Sequence, residues 1–496
     1  MTTAIPPASS DVDDFVSLAM SLDSGVWPTL QGFLVSYYPL VVARAPSVLT
    51  VMGAGLAAER DELPAAASPD HGAGRYGSSL HLPLAQATLA AAQRADDRML
   101  AIAQIPADSE QAPHVFVMTM GELQDLADRP YAEVRARFQA DPLAARVAGG
   151  LIVLQREHGI WMGESWRVLI RSHLPEGGDF GAAAALEAAA LQAMVNLLCQ
   201  PLDGGDLVQA CRVVEREIVG GQCTGADQLT AALGRKDQLL AVRPPTDPRS
   251  ARVSDPAETE TEGLREVERP SVGPVARSGD RPQREARSGD RPQREARSGD
   301  RPQRDHGPVA RSGDRPQRDR RPTAQQTGGS GLAASLAFVP LPPTVRFWGL
   351  ATDPAPADAA ATEASFPGPT GPEDRHPTAD CVARLCRVLE GDIDDGALGE
   401  LGRLLREGHE LDSSRGACSA GAGLLVKRLR DAGPARGLYG VRTAGPTGGT
   451  VVVLGRTDAD AAVREIAASC AAELGRNVDI VSGSSAGACE FGCLRL

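Results

Sequence analysis

Three stretches of this chain carry residue types that could do chemistry together. The first is Leu174 to Glu187, LPEGGDFGAAAALE, in which Pro175, Glu176, Gly177, Gly178 and Gly181 lead into an Ala/Leu run. A glycine turn that opens a helix presents unpaired backbone N–H groups and the positive end of the helix dipole, which suits an anion such as phosphate. The same residues also serve as an ordinary loop before a buried helix. The second stretch is Leu438 to Gly455, LYGVRTAGPTGGTVVVLG, where Gly445, Gly448 and Gly449 lie between two apolar runs and Pro446 removes one backbone donor. The third is Glu215 to Gln228, EREIVGGQCTGADQ, with Asp227 at a helix start. A carboxylate there can take the proton of an attacking hydroxyl, or it can simply cap the helix. Cys223 beside it reads as structural.

Positioning such loops requires strands and helices that alternate, and the chain supplies them. Residues 1–12 read as a tail, and Asp13 to Tyr38 as a helix and an approach segment. Leu40 to Ala45, Leu49 to Met52, Leu80 to Ala87, Met99 to Gln104, His114 to Met118, Trp166 to His173 and Gln238 to Val242 read as strands. Tyr131 to Gln139, Leu143 to Glu157, Leu186 to Leu198, Gly205 to Glu217 and Ala226 to Ala232 read as helices. After Leu336 to Leu350, a candidate strand pair, come helices at Cys381 to Glu390, Gly396 to Glu407, Ala422 to Asp431 and Ala459 to Leu474. Strands at Gly440 to Thr443, Thr450 to Gly455, Asn477 to Ser482 and Gly492 to Leu496 complete a sheet. The expected class is α+β, with a lead-in over residues 1–40, a first domain over 41–242 and a second over 335–496.

Residues 243–334 break the pattern. The nonapeptide ARSGDRPQR occurs four times, starting at Ala276, Ala286, Ala296 and Ala310, with three arginines and one aspartate in each copy. A stretch this polar cannot bury enough apolar surface to offset its ordering entropy, so it is expected to be disordered. It reads either as an expanded repeat tolerated in a surface loop or as an arm for an acidic partner. The chain as a whole has a net charge of −13, which argues against general nucleic-acid binding. No stretch reaches the roughly 18 apolar residues of a membrane span. The first residues lack a secretory pattern, and the nine cysteines are scattered without CxxC pairs, which fits reduced thiols in the cytoplasm. No metal-ligand set stands out.

In order and spacing, the segments Ala43 to Gly53 (ARAPSVLTVMG), Leu174 to Glu187, Glu215 to Gln228, Val345 to Leu350 (VRFWGL), Leu438 to Gly455 and the terminal GSSAGACEFGCLRL resemble the GHMP small-molecule kinases, within them the galactokinases and the L-arabinokinase-like branch. The resemblance covers Val41 to Val242 and Leu336 to Leu496. It implies a two-lobed fold, ATP and Mg²⁺ as cofactors, a monosaccharide as substrate, and transfer of phosphate to the sugar's 1-hydroxyl. Asp227 then matches the family's aspartate beside that hydroxyl. Pro175, Glu176, Gly177, Gly178, Gly181, Gly445, Gly448 and Gly449 match its phosphate loops.

The departures are specific. Gly178 replaces a lysine, Asp179 a glycine, and Gly181, Ala182 and Ala183 the three serines that help place Mg²⁺. Val48 stands at the first motif's arginine and Thr50 at the acidic position after it. Arg442 matches a lysine and keeps a positive charge near the last loop, and His409 reads as structural. Glu187 or Asp70 is available to take over a charged role. Two functions follow from this pattern: a sugar 1-kinase of impaired activity, or a pseudokinase that keeps the fold as a binding or regulatory module, with the arginine repeats as one means of binding.

Overall fold

The computed structural model describes residues 10–21, 39–53, 79–106, 112–160, 163, 165–172, 179–221, 225–242, 336–352, 378–413, 419–445 and 449–496. The arginine repeats therefore lie outside the described residues, as do Asp70 and Cys223.

Helix α1 (Ser10–Ser21) precedes strand β1 (Val41–Met52). Val12 and Phe15 are fully buried, so the tail expected over residues 1–12 gives way to helix from Ser10. The two strands expected on either side of Pro46 are one strand. A proline cannot donate to a ladder, and here it stands at a bulge: the register with β2 (Ser79–Ala95) shifts between Pro46 and Val48. Strands β3 (Met99–Ile105) and β4 (His114–Thr119) follow, then α2 (Met120–Ala127), which the sequence reading missed, α3 (Tyr131–Phe138) and α4 (Pro142–His158). Asp141 caps α4 by accepting the Ala144 N–H at 2.9 Å, with Pro142 at the first helical position. Strand β5 (Ser165–Ser172) leads through the glycine turn into α5 (Ala182–Leu197). Helix α6 (Gly204–Val213) then runs into a π-helical turn over Val214–Val219. Helix α7 (Ala226–Leu233) and strand β6 (Gln238–Val242) complete the first stretch.

The second stretch begins with β7 (Leu336–Pro340) and β8 (Val345–Thr352). These were expected to pair with each other. Instead β7 pairs with β6, register Val242 opposite Leu336, while β8 lies between two other strands. Helices α8 (Thr378–Leu389), α9 (Asp395–Ser413) and α10 (Ala420–Ala432) follow, then β9 (Leu438–Ala444), β10 (Thr450–Arg456), α11 (Asp460–Leu474), β11 (Val478–Ser482), α12 (Ala488–Phe491) and β12 (Leu494–Arg495).

Two sheets result. The first runs β12-β1-β2-β5-β3-β4, with β6 and β7 added on β2; the second is antiparallel, β11-β8-β10-β9. The last two strands, expected in one sheet, thus join different ones. On one face of the first sheet α1 covers Val42, Leu89, Ala101 and Leu169. On the other, α4, α5 and α7 pack over Ala43, Val48, Ala90 and Val168. With few aromatic residues to fill space, this core is built from close-packed alanine and leucine, and α5 is buried almost end to end. A third core joins the sheets: Leu49, Leu80, Leu82 and Phe180 meet Phe347, Val452 and Val481. All described elements belong to one compact unit. The product is a mixed fold of helices and sheets, as the motif order implied, with its strands divided between two sheets. No described helix is long and apolar enough to cross a membrane.

Candidate active site

The loop before α5 is fixed from three sides. Its Phe180 is fully buried, and the ring reaches β8 where Gly349 has no side chain. A Cβ at Gly349 would lie 2.7 Å from Phe180 and 2.9 Å from Leu49, so the VRFWGL glycine is there for close approach. The Phe180 carbonyl accepts the N–H of Val48 on β1 at 2.8 Å. The Asp179 N–H donates to Thr450 Oγ1 on β10 at 3.0 Å. Strands from both sheets therefore hold the same two residues, Asp179 and Phe180.

Gly181 caps α5 with φ +61°, a left-handed conformation that suits glycine. A Cβ there would meet Val48 Cβ at 3.0 Å and Asp227 Cβ at 3.5 Å. Gly445 also has positive φ (+80°), and the Asp179 carboxylate occupies the place its Cβ would take. Thus Asp179, Gly181, Gly445 and Asp227 come together, with Gly449 next to Thr450. Pro175, Glu176, Gly177, Gly178 and Gly448 lie outside the described residues.

Asp227 sits in the first turn of α7, whose N-cap is Gly225. The helix-capping alternative is thereby corrected: the left-handed glycine turns the chain, and the aspartate side chain is left to point elsewhere. Burial, and then the charge of Asp179, push its carboxyl up to about 6. The group is still largely ionised at neutral pH, and its basicity is nearer that of the solution, which suits proton acceptance.

Around this pair the expected cations are elsewhere. Val48 fills the first motif's arginine position with an isopropyl group against Gly181. Arg442 is buried, donating to the Thr443 carbonyl at 2.9 Å and to the Val51 carbonyl at 3.3 Å. His409 accepts the Thr443 N–H at Nδ1, 3.2 Å away. Burial and then the charges of Arg430 and Arg442 lower its pKa to about 4, so it is a neutral structural histidine.

Glu187 does not take over a role in the cleft. It is fully buried between α4, α7 and the π-helical turn. Arg146 Nε lies 3.5 Å from its Oε1 and Arg146 Nη2 lies 3.2 Å from Glu215 Oε2, while the Gln228 amide reaches Glu187 Oε2 at 3.5 Å. Burial, then a hydrogen bond and repulsion from Glu215, raise the Glu187 pKa well above the usual range. Two carboxyl groups sharing a proton beside one guanidinium leave little buried net charge. Sequence reasoning missed this network; its one signal was a glutamate inside an otherwise apolar helix.

The residues present do not fit the Mg²⁺ site that the resemblance implies. Gly181, Ala182 and Ala183 offer no hydroxyl, and no three His, Cys, Asp or Glu side chains gather as a cage among the described residues. A polyphosphate would also meet the Asp179 carboxylate between the two loops. Like charges about 4 Å apart repel by roughly 1–4 kcal/mol across the range of effective dielectrics from water to a protein surface.

A family model for the GHMP kinases N terminal domain matches residues 144–235, from α4 to the end of α7. L-arabinokinase from Arabidopsis thaliana is 32% identical over 232 residues, 41% of this chain and 20% of that protein, so the match spans about a fifth of that relative's length. The galactokinase of Lactococcus lactis, solved with galactose, aligns at TM-score 0.57 with 12% identity, over 96% of this chain and 99% of its own. Mevalonate kinase of Methanococcus jannaschii aligns at TM-score 0.50 with 9% identity, over 90% and 98%. At these identities both are likenesses of fold. Motif order, the domain matched over residues 144–235 and the two-sheet architecture together make the chain similar to the GHMP kinases, with its sequence likeness on the L-arabinokinase side and its fold likeness on the galactokinase side.

Proposed function

We propose that this chain binds a monosaccharide in a galactokinase-like cleft, with Asp227 facing the sugar's 1-hydroxyl, and that its transfer of phosphate from ATP is weak or absent. The observation that carries this is the pairing of Asp227 with Asp179 across Gly181, with Val48 where the family has an arginine. The half of the chemistry that needs a base is kept. Asp227 can take the hydroxyl proton as the sugar oxygen attacks. The half that needs charge stabilisation is weakened, because phosphoryl transfer depends on positioning and on neutralising phosphate charge. No step through Mg²⁺ is assigned, since the residues do not fit it. If transfer is absent altogether, the same cleft serves as a binding module.

The test is coupled ADP release with D-galactose and L-arabinose, alongside calorimetric titration of each sugar. Binding with turnover far below the ordinary ~1–100 per second supports the reading. Ordinary turnover that Asp227→Asn abolishes would overturn the weakened-transfer part. No binding of either sugar would overturn the whole.

A further inference from the structure

One buried polar cluster beside this site has no part in the chemistry above. Strand partners share a face of a sheet, and His81 on β2 stands opposite Thr50 on β1 and Leu240 on β6. Leu240 belongs to the core beneath the helices, as does Val48, two residues before Thr50. Ser79 stands opposite Val242, in the same core. Ser79, His81 and Thr50 therefore share the face that carries Val48, Gly181 and Asp227. Thr50 lies about 7 Å along β1 from Val48, at about 3.3 Å per residue. That is a span a single sugar ring can bridge.

The three side chains form a relay. His81 Nε2 is 2.7 Å from Ser79 Oγ, and its Nδ1 is 3.2 Å from Thr50 Oγ1. Ser79 and His81 are buried, whereas Thr50 alone in β1 keeps partial exposure. Burial lowers the His81 pKa to about 4, so the ring is neutral, with one N–H and one lone pair. Both ring nitrogens are engaged by hydroxyls. If Nδ1 carries the proton, Thr50 accepts from it and has its own O–H left to donate. If Nε2 carries it, Thr50 donates to Nδ1 and has lone pairs left to accept. Either way the relay ends in one oriented, uncharged hydroxyl, with no charged member to attract an ionic ligand.

We infer that Thr50, oriented by His81 with Ser79 behind it, receives a ring hydroxyl of a neutral polyhydroxylated substrate, so that His81 is a positioning residue for substrate choice. This rests on the sugar-binding reading. It differs from a packing role for His81, because it requires the hydroxyl at residue 50 and a matching hydroxyl on the ligand.

The experiment is calorimetry on the full chain with D-galactose, L-arabinose, their monodeoxy analogues and D-galacturonate. The variants are Thr50→Val, Thr50→Ser, His81→Phe and His81→Gln, with thermal unfolding as the check on folding. Thr50→Val is expected to weaken the bound sugar about tenfold, and Thr50→Ser to restore it. His81→Phe should follow Thr50→Val, and His81→Gln, whose amide both donates and accepts, should recover part. The Thr50→Val loss should vanish with the one deoxy analogue that lacks the contacted hydroxyl. If Thr50→Val binds sugar and every deoxy analogue as the wild type does, or if galacturonate is preferred, the inference is overturned while the sugar-binding reading stands. If neither sugar binds the wild type, the sugar-binding reading fails and this inference falls with it. Should His81→Phe fail to fold, the Thr50 pair decides.

Discussion

Val48 donates its backbone N–H to the Phe180 carbonyl at 2.8 Å, and its Cβ lies 3.0 Å from the place a Cβ on Gly181 would occupy. The two positions are matched to each other: the branched side chain fits because the loop residue has none. Restoring the loop's serine by Gly181→Ser is expected to destabilise the protein by about 1–3 kcal/mol, since φ +61° is costly for any residue with a Cβ and Val48 cannot withdraw. Val48→Ala in the same background should recover part of the loss, measured as the coupling in a double-mutant cycle by urea unfolding.

Asp227 predicts a pH dependence of stability. Its folded pKa, about 6, is above its ordinary 3.8. Below about pH 3.8 the group is protonated in both states and makes no difference. As pH rises through 6 the folded state must carry an unfavourable carboxylate, so stability is lost. Asp227→Asn is therefore expected to raise stability at pH 7.5, on the order of 1–3 kcal/mol given its partial exposure, and to leave it unchanged near pH 3.5. A stabilisation independent of pH would contradict this. Asp179→Asn should lower the Asp227 pKa only in part, because burial is the larger cause.

The Arg146 network makes an unequal pair of predictions. Arg146→Met removes the cation shared by the buried Glu187 and the partly buried Glu215 and should cost about 3–5 kcal/mol. Glu187→Gln, which mimics a carboxyl already held protonated, should cost far less at pH 7. Denaturant midpoints for the two variants check the order, and equal losses would refute the shared proton.

The insertion leaves and rejoins the fold at one point, because Val242 at the end of β6 is paired with Leu336 at the start of β7. Replacing residues 247–326 by a short Gly/Ser turn should therefore keep the melting temperature or raise it slightly, since each halving of a flexible loop saves only about 0.6 kcal/mol of closure entropy. A fall of many degrees would show that the repeats contribute to folding.

The periodicity of the chain determined most of its elements, because a strand or helix buried on one face records that face every second or every third to fourth residue. Gly181 and Gly349 stand where only a bare backbone fits, and the order of the motifs carried the family resemblance. Local pattern could not say that Pro46 sits at a bulge inside one strand, or that Leu336 to Pro340 pairs with β6 rather than with its neighbour in sequence. Strand pairing depends on partners far along the chain. The site shows the same division. Asp227 was legible from its turn, but its elevated pKa arises first from burial in the folded protein and then from Asp179, 48 positions earlier in the sequence. Glu187 stood out as a charge in an apolar helix, yet only packing assigned it to Arg146 and Glu215 rather than to the cleft. His81 read as one residue of a strand until β1 brought Thr50 to its ring. Burial, which sets the protonation of all these groups, belongs to the assembled fold and to no single segment of it.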